Sequence, residues 1–155
     1  MAEPISFDPA TINQTTTGNF NLGQKLEYLG KWYEFVKLAD AVAGANGMVT
    51  EAASGTDGFL VTVDRAGGSS LGRIPRGVMV GTVTPGNYFF QLIAGLHSSV
   101  KDAAGALSTV GFKVTTHAVT DGDAAATSAY TDKTIGTVYV VSAAGVAGVM
   151  VQRGV

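Results

Sequence analysis

Between Gly77 and Gly95 the chain reads G-V-M-V-G-T-V-T-P-G-N-Y-F-F-Q-L-I-A-G, two apolar runs broken at Thr84-Pro85-Gly86-Asn87. Pro85 fixes φ near the value that the first central position of a type II turn needs, and Gly86 accepts the positive φ of the second. The pattern therefore predicts a β-hairpin. In the strand after the turn, Tyr88, Phe90 and Leu92 alternate with Phe89, Gln91 and Ile93. Successive side chains of a strand point to opposite faces, so each face carries an aromatic ring and the strand is expected to be covered on both sides.

Similar patterns recur along the chain. Lys25–Leu38 alternates as a strand, with Tyr33, Phe35 and Lys37 on one side and Trp32, Glu34, Val36 and Leu38 on the other. Leu26, Leu29 and Tyr33 also fit a short helix. Asp40–Gly58 reads as loop, Phe59–Val63 as a compact strand, and Asp64–Arg76 as a loop around Gly67-Gly68-Ser69-Ser70. Leu96–Val100 and Phe112–Thr116 read as strands, Asp102–Ser108 and Asp121–Ser128 as Ala/Gly-rich connections. Ile135–Ser142 and Val146–Gln152 flank Ala143-Ala144-Gly145 as a second hairpin. Seven or eight short strands and no long amphipathic helix predict an all-β fold, a small barrel or sandwich.

The first two dozen residues differ. They hold Pro4, Pro9, the run Thr15-Thr16-Thr17 and scattered apolar residues at Ile5, Phe7, Ile12, Phe20 and Leu22, without sustained periodicity. A segment of this kind is ordinarily a disordered tail. The apolar residues suggest instead an extended arm, residues 1–24, docked onto its own body (residues 25–155) or onto a neighbouring subunit. Its partner-binding residues would be Ile5, Phe7, Ile12, Phe20 and Leu22.

Composition narrows the function. At 155 residues the chain is one domain's worth. Charged residues make up 14%, well under the roughly 25% of an average soluble domain, which suggests either that other subunits cover part of the exterior or simply a Gly/Ala/Thr-rich β protein. The net charge of −2 comes with singly scattered Lys and Arg, so no basic stripe speaks for nucleic acid. No cysteine is present, which removes disulfides and thiolate metal sites. No apolar run is long enough to span a bilayer as a helix, and Met1–Ala10 lacks signal-peptide character. Synthesis in the cytosol and no membrane partner are the expectation.

Catalytic groups are few. His97 and His117 are the only histidines, and both read as packed or strand-end residues rather than bases or ligands. Asp121-Gly122-Asp123 lacks the spacing and distal Glu of a calcium loop. The glycines around Ser69 and Ser70 match no phosphate-binding fingerprint. No enzyme activity, cofactor or metal is expected. The cluster Trp32, Tyr33, Phe35, Tyr88, Phe89 and Phe90 reads as barrel core, with a carbohydrate- or receptor-binding platform as the alternative. Trp32, Arg73 and Arg76 are candidate interface residues, the arginines either pairing with an acidic partner surface or standing as solvated strand-end charges.

The order of W-Y-E-F-V-K, an Ala/Gly-rich loop, Gly77-Val78-x-Val80-Gly81, a turn, Gly86-Asn87-Tyr88-Phe89-Phe90-Gln91, Gly95 and a closing hairpin with Ile135-Gly136 resembles the head-decoration, or cement, proteins of tailed bacteriophages. The resemblance covers about Lys31–Val151, with Asn87 and Phe90 departing from the usual pattern. It implies a β-tulip-like body with an N-terminal arm, on the outer capsid surface of a virion. There the protein would bridge major capsid protein subunits, commonly as a homotrimer, and resist the pressure of packaged DNA.

Overall fold

The computed structural model describes residues 7–39, 42–53, 59–64, 74–103, 105–117, 120–128 and 133–153. Ten strands follow one another: β1 (Lys25–Tyr28), β2 (Lys31–Leu38), β3 (Val49–Ala52), β4 (Leu60–Thr62), β5 (Pro75–Met79), β6 (Tyr88–Lys101), β7 (Lys113–Thr116), β8 (Ala124–Thr127), β9 (Gly136–Ala143) and β10 (Val146–Gln152). Their order is β1-β2-β4-β3-β5-β6-β10-β9-β7-β8, and β2 pairs also with β6. That last pairing closes β2, β4, β3, β5 and β6 into a five-stranded barrel, mixed because β2 and β4 run parallel. The other five strands extend from it. The fold is all-β, as the alternation predicts, with one 3-10 turn at Pro9–Thr11 and no α-helix among the described residues.

The barrel closes because β2 and β6 are apolar on both faces. Val36 and Phe89 oppose each other and join Leu38, Val61, Val63, Met79 and Val83 in one buried cluster. Since these residues come from four barrel strands and share one face of β2 and β6, they fill the barrel interior. Phe35 and Phe90 are paired on the opposite face, in the larger cluster with Tyr33, Leu92, Val114, Val138 and Val149. This second core lies between the barrel wall, the outer strands and the N-terminal segment. Both sides of the Tyr88–Ile93 strand are thus covered.

The turn before β6 is the one expected: the Asn87 amide donates to the Thr84 carbonyl at 3.1 Å, with Gly86 at φ 83°. The hairpin it closes is less regular. β5 pairs with β6 only at Val78↔Leu92 and Met79↔Gln91, and Val83 bonds instead with Gly44. β6 does not stop at Gly95. It continues to Lys101, its first half in the barrel wall and its second half paired with β10. Gly95, at φ 121° and close against Lys31, allows the strand to bend out of the wall at this point.

Three local readings are corrected. Lys25–Leu38 is a hairpin, β1 and β2, because Leu29 and Gly30 both take positive φ (51° and 72°) and make a two-residue turn. Val49–Ala52, within the stretch read as loop, is β3, held by register with β4 and β5. Ala124–Thr127 is β8, paired along its length with β7. Both segments are four residues long, and β8 is alanine-rich, so tertiary pairing rather than local preference decides their state.

Residues 7–24 form a strap across the barrel wall. Gln14 and Tyr88 exchange backbone hydrogen bonds of 3.1 and 2.7 Å, the Gly23 amide donates to the Phe35 carbonyl, and the Phe35 amide donates to the Gln24 carbonyl. Asn13 Oδ1 accepts from the Asn87 side-chain amide at 2.8 Å and from the Thr84 backbone amide at 3.2 Å. Phe7, Ile12 and Phe20 pack on the larger core.

Candidate functional site

The strap positions its rings in a cluster that leaves little of them for a partner. Phe20 lies 4.9 Å from Phe90, 5.2 Å from Phe35 and 5.9 Å from Phe7, centroid to centroid. Phe7 also meets Phe90 edge-on at 5.4 Å and Tyr28 at 5.9 Å. Of the arm residues singled out from the sequence, Phe7, Ile12 and Phe20 face the chain's own body and Leu22 is exposed. Ile5 lies outside the described residues.

The six candidate aromatics divide in the same way. Tyr33, Phe35, Phe89 and Phe90 are buried, Tyr88 is packed against the larger core with Lys37 Nζ 5.5 Å over its ring, and Trp32 alone is exposed. A row of rings on which a sugar could stack is therefore reduced to Trp32.

One end of the barrel interior is polar. Glu34 and Gln91 oppose each other across β2 and β6, both buried, and the Gln91 amide donates to Glu34 Oε2 at 3.1 Å. The Thr50 hydroxyl donates to Gln91 Oε1 at 2.6 Å, with the Gly77 carbonyl at 3.1 Å as its alternative acceptor. From beyond the end of β10, Arg153 closes the array: Nη1 donates to Glu34 Oε2 at 2.5 Å and to the Arg76 carbonyl at 2.9 Å. Arg76 stands beside it, half-buried, and its Nε has no hydrogen-bond partner. Burial, and then the neighbouring Arg153 charge, pull the Arg76 guanidinium below its ordinary value, while Glu34 opposes the shift. Arg73 lies outside the described residues. The array is a structural clasp: it satisfies a carboxylate inside the barrel and ties the end of β10 to β2 and β5.

No family model, curated protein or solved structure matches this chain. The chemistry of the chain itself has to carry the functional reading.

Both histidines are bound up in the backbone. His97, buried in β6, donates from Nε2 to the Met79 carbonyl at 3.1 Å and accepts at Nδ1 from the Ser99 amide at 3.2 Å, which fixes the neutral tautomer. Burial first, and Lys31 secondarily, lower its pKa against the opposing effect of that carbonyl bond. His117 Nδ1 accepts from the Thr120 amide at 3.1 Å. Asp123 and Gly122 belong to a turn closed by the Asp123 amide on the Thr120 carbonyl. Among the described residues no three His, Asp or Glu side chains converge as they would to hold a metal ion. Buried Asp102 accepts from the Leu107 amide at 3.2 Å with both oxygens.

The open feature of the molecule is apolar. Of the ten large hydrophobic residues exposed among the described residues, six lie at one end of the outer sheet: Val110, Phe112, Tyr139, Val140, Val141 and Val146. Backbone bonds from Gly111 to Val138, Val138 to Phe112 and Ser142 to Leu107 lay the Leu107–Phe112 segment along β9 and make these residues neighbours. Tyr139, Val140 and Val141 are 60%, 54% and 43% exposed in sequence, so both faces of β9 are open here. The nineteen residues Thr134–Gln152 contain no charged side chain. Sequence reasoning located this hairpin, Ile135–Ser142 and Val146–Gln152, but did not single it out as a surface. The missed signal was the complete lack of charge over two adjacent strands.

Proposed function

We propose that this protein is a non-enzymatic structural component, a decoration protein that binds the outer surface of a tailed-phage capsid and bridges major capsid protein subunits. The observation that carries a binding role is the uncharged, apolar end built from β9, β10 and Leu107–Phe112. Exposed apolar area concentrated in one place marks interaction surfaces in soluble proteins. Glu34, His97 and Asp102, three of the buried ionisable side chains, have their hydrogen bonds inside the fold, which supports a structural rather than a chemical role. The capsid as the assembly comes from the resemblance of Lys31–Val151 to head-decoration proteins. Many copies on a shell would multiply a modest contact energy by avidity.

The test uses shells of the parent phage assembled without the protein. Added full-length protein should bind in a fixed stoichiometry and raise the temperature at which the shells disrupt. Protein carrying Val140→Asp and Val141→Asp should do neither while keeping its own fold. Shells that gain nothing from the wild-type protein would refute the proposal. Glycan binding abolished by Trp32→Ala would favour the carbohydrate-binding alternative.

A further inference from the structure

We infer that the polar end of the barrel binds an oxyanion, a carboxylate or phosphate group held by the guanidinium groups of Arg76 and Arg153. This site lies past the Gln152 end of β10, away from the Val146 end, and does not depend on the reading of the apolar surface there.

Two irregularities of the barrel wall bring the cations together. Thr50 pairs with Gly77 and Glu51 with Pro75, so Arg76 is an extra residue of β5 with no partner on β3. Ile93 is skipped in the same way on β6, between Ala94 opposite Trp32 and Leu92 opposite Tyr33. Bulges of this kind collect at barrel rims and re-aim side chains there. Each leaves its carbonyl to Arg153. The Ile93 carbonyl accepts from the Arg153 backbone amide at 3.0 Å, and the Arg76 carbonyl accepts from Nη1 at 2.9 Å.

The charges at this rim do not balance. Glu34 is the one carboxylate among the described residues that is bonded to either arginine, and Arg153 Nη1 takes it. The Arg76 side chain makes no hydrogen bond or ion pair with a described residue. Burial and the charge of Arg153 both weigh against its guanidinium, and Glu34 offsets them only in part. For the fold alone Arg76 is a cost, since a second cation set beside Arg153 gains no hydrogen bond in return for its desolvation. Two cations against one carboxylate leave a net positive charge, which selects an anion.

The donors are within reach. Of the guanidinium nitrogens without a protein partner, only Arg76 Nε is sealed from solvent; both Nη atoms of Arg76, with Nε and Nη2 of Arg153, are open to it. Such forked donors match the paired oxygens of a carboxylate or phosphate. Glu34 and the two bulge carbonyls already fix Arg153, so little side-chain freedom remains to be lost on binding.

The test follows the amide resonances of Arg76, Gly77 and Arg153 in isotope-labelled full-length protein during titration with inorganic phosphate and, separately, acetate, against sodium chloride at equal ionic strength. Both oxyanions should give saturable shifts that chloride does not. Arg76→Gln should weaken phosphate binding by about tenfold or more, the loss of one charge-assisted pair, and should raise the urea midpoint in anion-free buffer. Arg76→Lys, which keeps the charge without the fork, should bind less tightly than wild type and more tightly than the Gln variant. Shifts that chloride reproduces, or that persist undiminished in both variants, overturn the inference. So does a lower urea midpoint for Arg76→Gln in anion-free buffer, because Arg76 would then serve the fold. Capsid shells identify the source of the group: shell binding that Arg76→Gln weakens and phosphate competes away assigns it to a carboxylate side chain of the coat protein, and any other result assigns it to a free anion.

Discussion

Replacing Phe20 by alanine tests whether the N-terminal strap is part of the folded body. The ring is half-buried and contacts Phe7, Phe35 and Phe90, the last edge-on at 4.9 Å. A fully buried Phe→Ala change costs about 3–5 kcal/mol. Half burial reduces the transfer and cavity contribution to about 2 kcal/mol, and the lost ring pairs add about 1 kcal/mol. The expected total is about 3 kcal/mol, read from the urea midpoint at unchanged slope. The loss should be accompanied by faster hydrogen exchange at the amides of Gln14 and Gly23, which hold the strap to Tyr88 and Phe35. A double-mutant cycle with Phe90→Leu should return a coupling of about 1 kcal/mol. If Phe20→Ala changed stability by less than 1 kcal/mol and left both amides protected, the strap would owe its position to something other than these rings.

Three further substitutions probe the barrel and the histidine. A Cβ at Gly77 would lie 2.7 Å from the Gln91 side chain, which is fully buried and bonded to Thr50 and Glu34. Gly77→Ala should therefore cost about 2 kcal/mol in denaturant unfolding, and a neutral result would show that the array can rearrange freely. Arg153→Met leaves the Glu34 carboxylate buried without its cation, at about 2 kcal/mol because the mouth is partly open to water; adding Glu34→Gln should recover most of the loss. His97 has a folded pKa below its ordinary value of 6.5, so above about pH 6.5 its neutral form supports the fold in full. As pH falls from there toward the folded pKa, the unfolded chain binds the extra proton first and stability declines. Urea unfolding at pH 7.5 and pH 5 should show that decline in the wild type and a smaller one in His97→Gln; identical profiles would remove His97 as the cause.

The parts legible in the sequence are those whose local chemistry allows one answer. Pro85-Gly86 dictates its turn, Tyr88–Ile93 can only be a strand covered on both faces, and Ala144-Gly145 joins two plainly alternating runs. β3 and β8 were not legible because V-T-E-A and A-A-A-T acquire their state from the strands beside them. The β1–β2 turn escaped notice because a leucine, not an asparagine, takes the first left-handed position. Pairing across the barrel brings Glu34, Gln91 and Thr50 together, and Arg153 joins them from 119 residues beyond Glu34. No spacing along the chain encodes that array. Arg76 was read as a partner-facing or a solvated strand-end charge, and the structure places it, half-buried, beside Arg153.

The treatment of the sheet edges bears on why the apolar end is open. A ten-stranded sheet rich in Val, Ala, Gly and Thr invites edge-to-edge aggregation, and both of its terminal strands are guarded. β1 presents exposed Lys25 and Glu27. β8 is met at its first residue by the Asp102–Ala103 segment, whose Ala103 amide donates to the Ala124 carbonyl. Inside the barrel, the Glu34–Gln91–Thr50 array opposes register slips, since moving β6 by one residue would turn Gln91 away from Glu34 and leave the carboxylate among apolar side chains. A chain that spends three of its few charged side chains, Lys25, Glu27 and Glu34, on preventing wrong pairings leaves none on β9 and β10. General avoidance of stickiness cannot explain that contrast. The contrast supports the proposal that the uncharged end of β9 and β10 is an interaction surface.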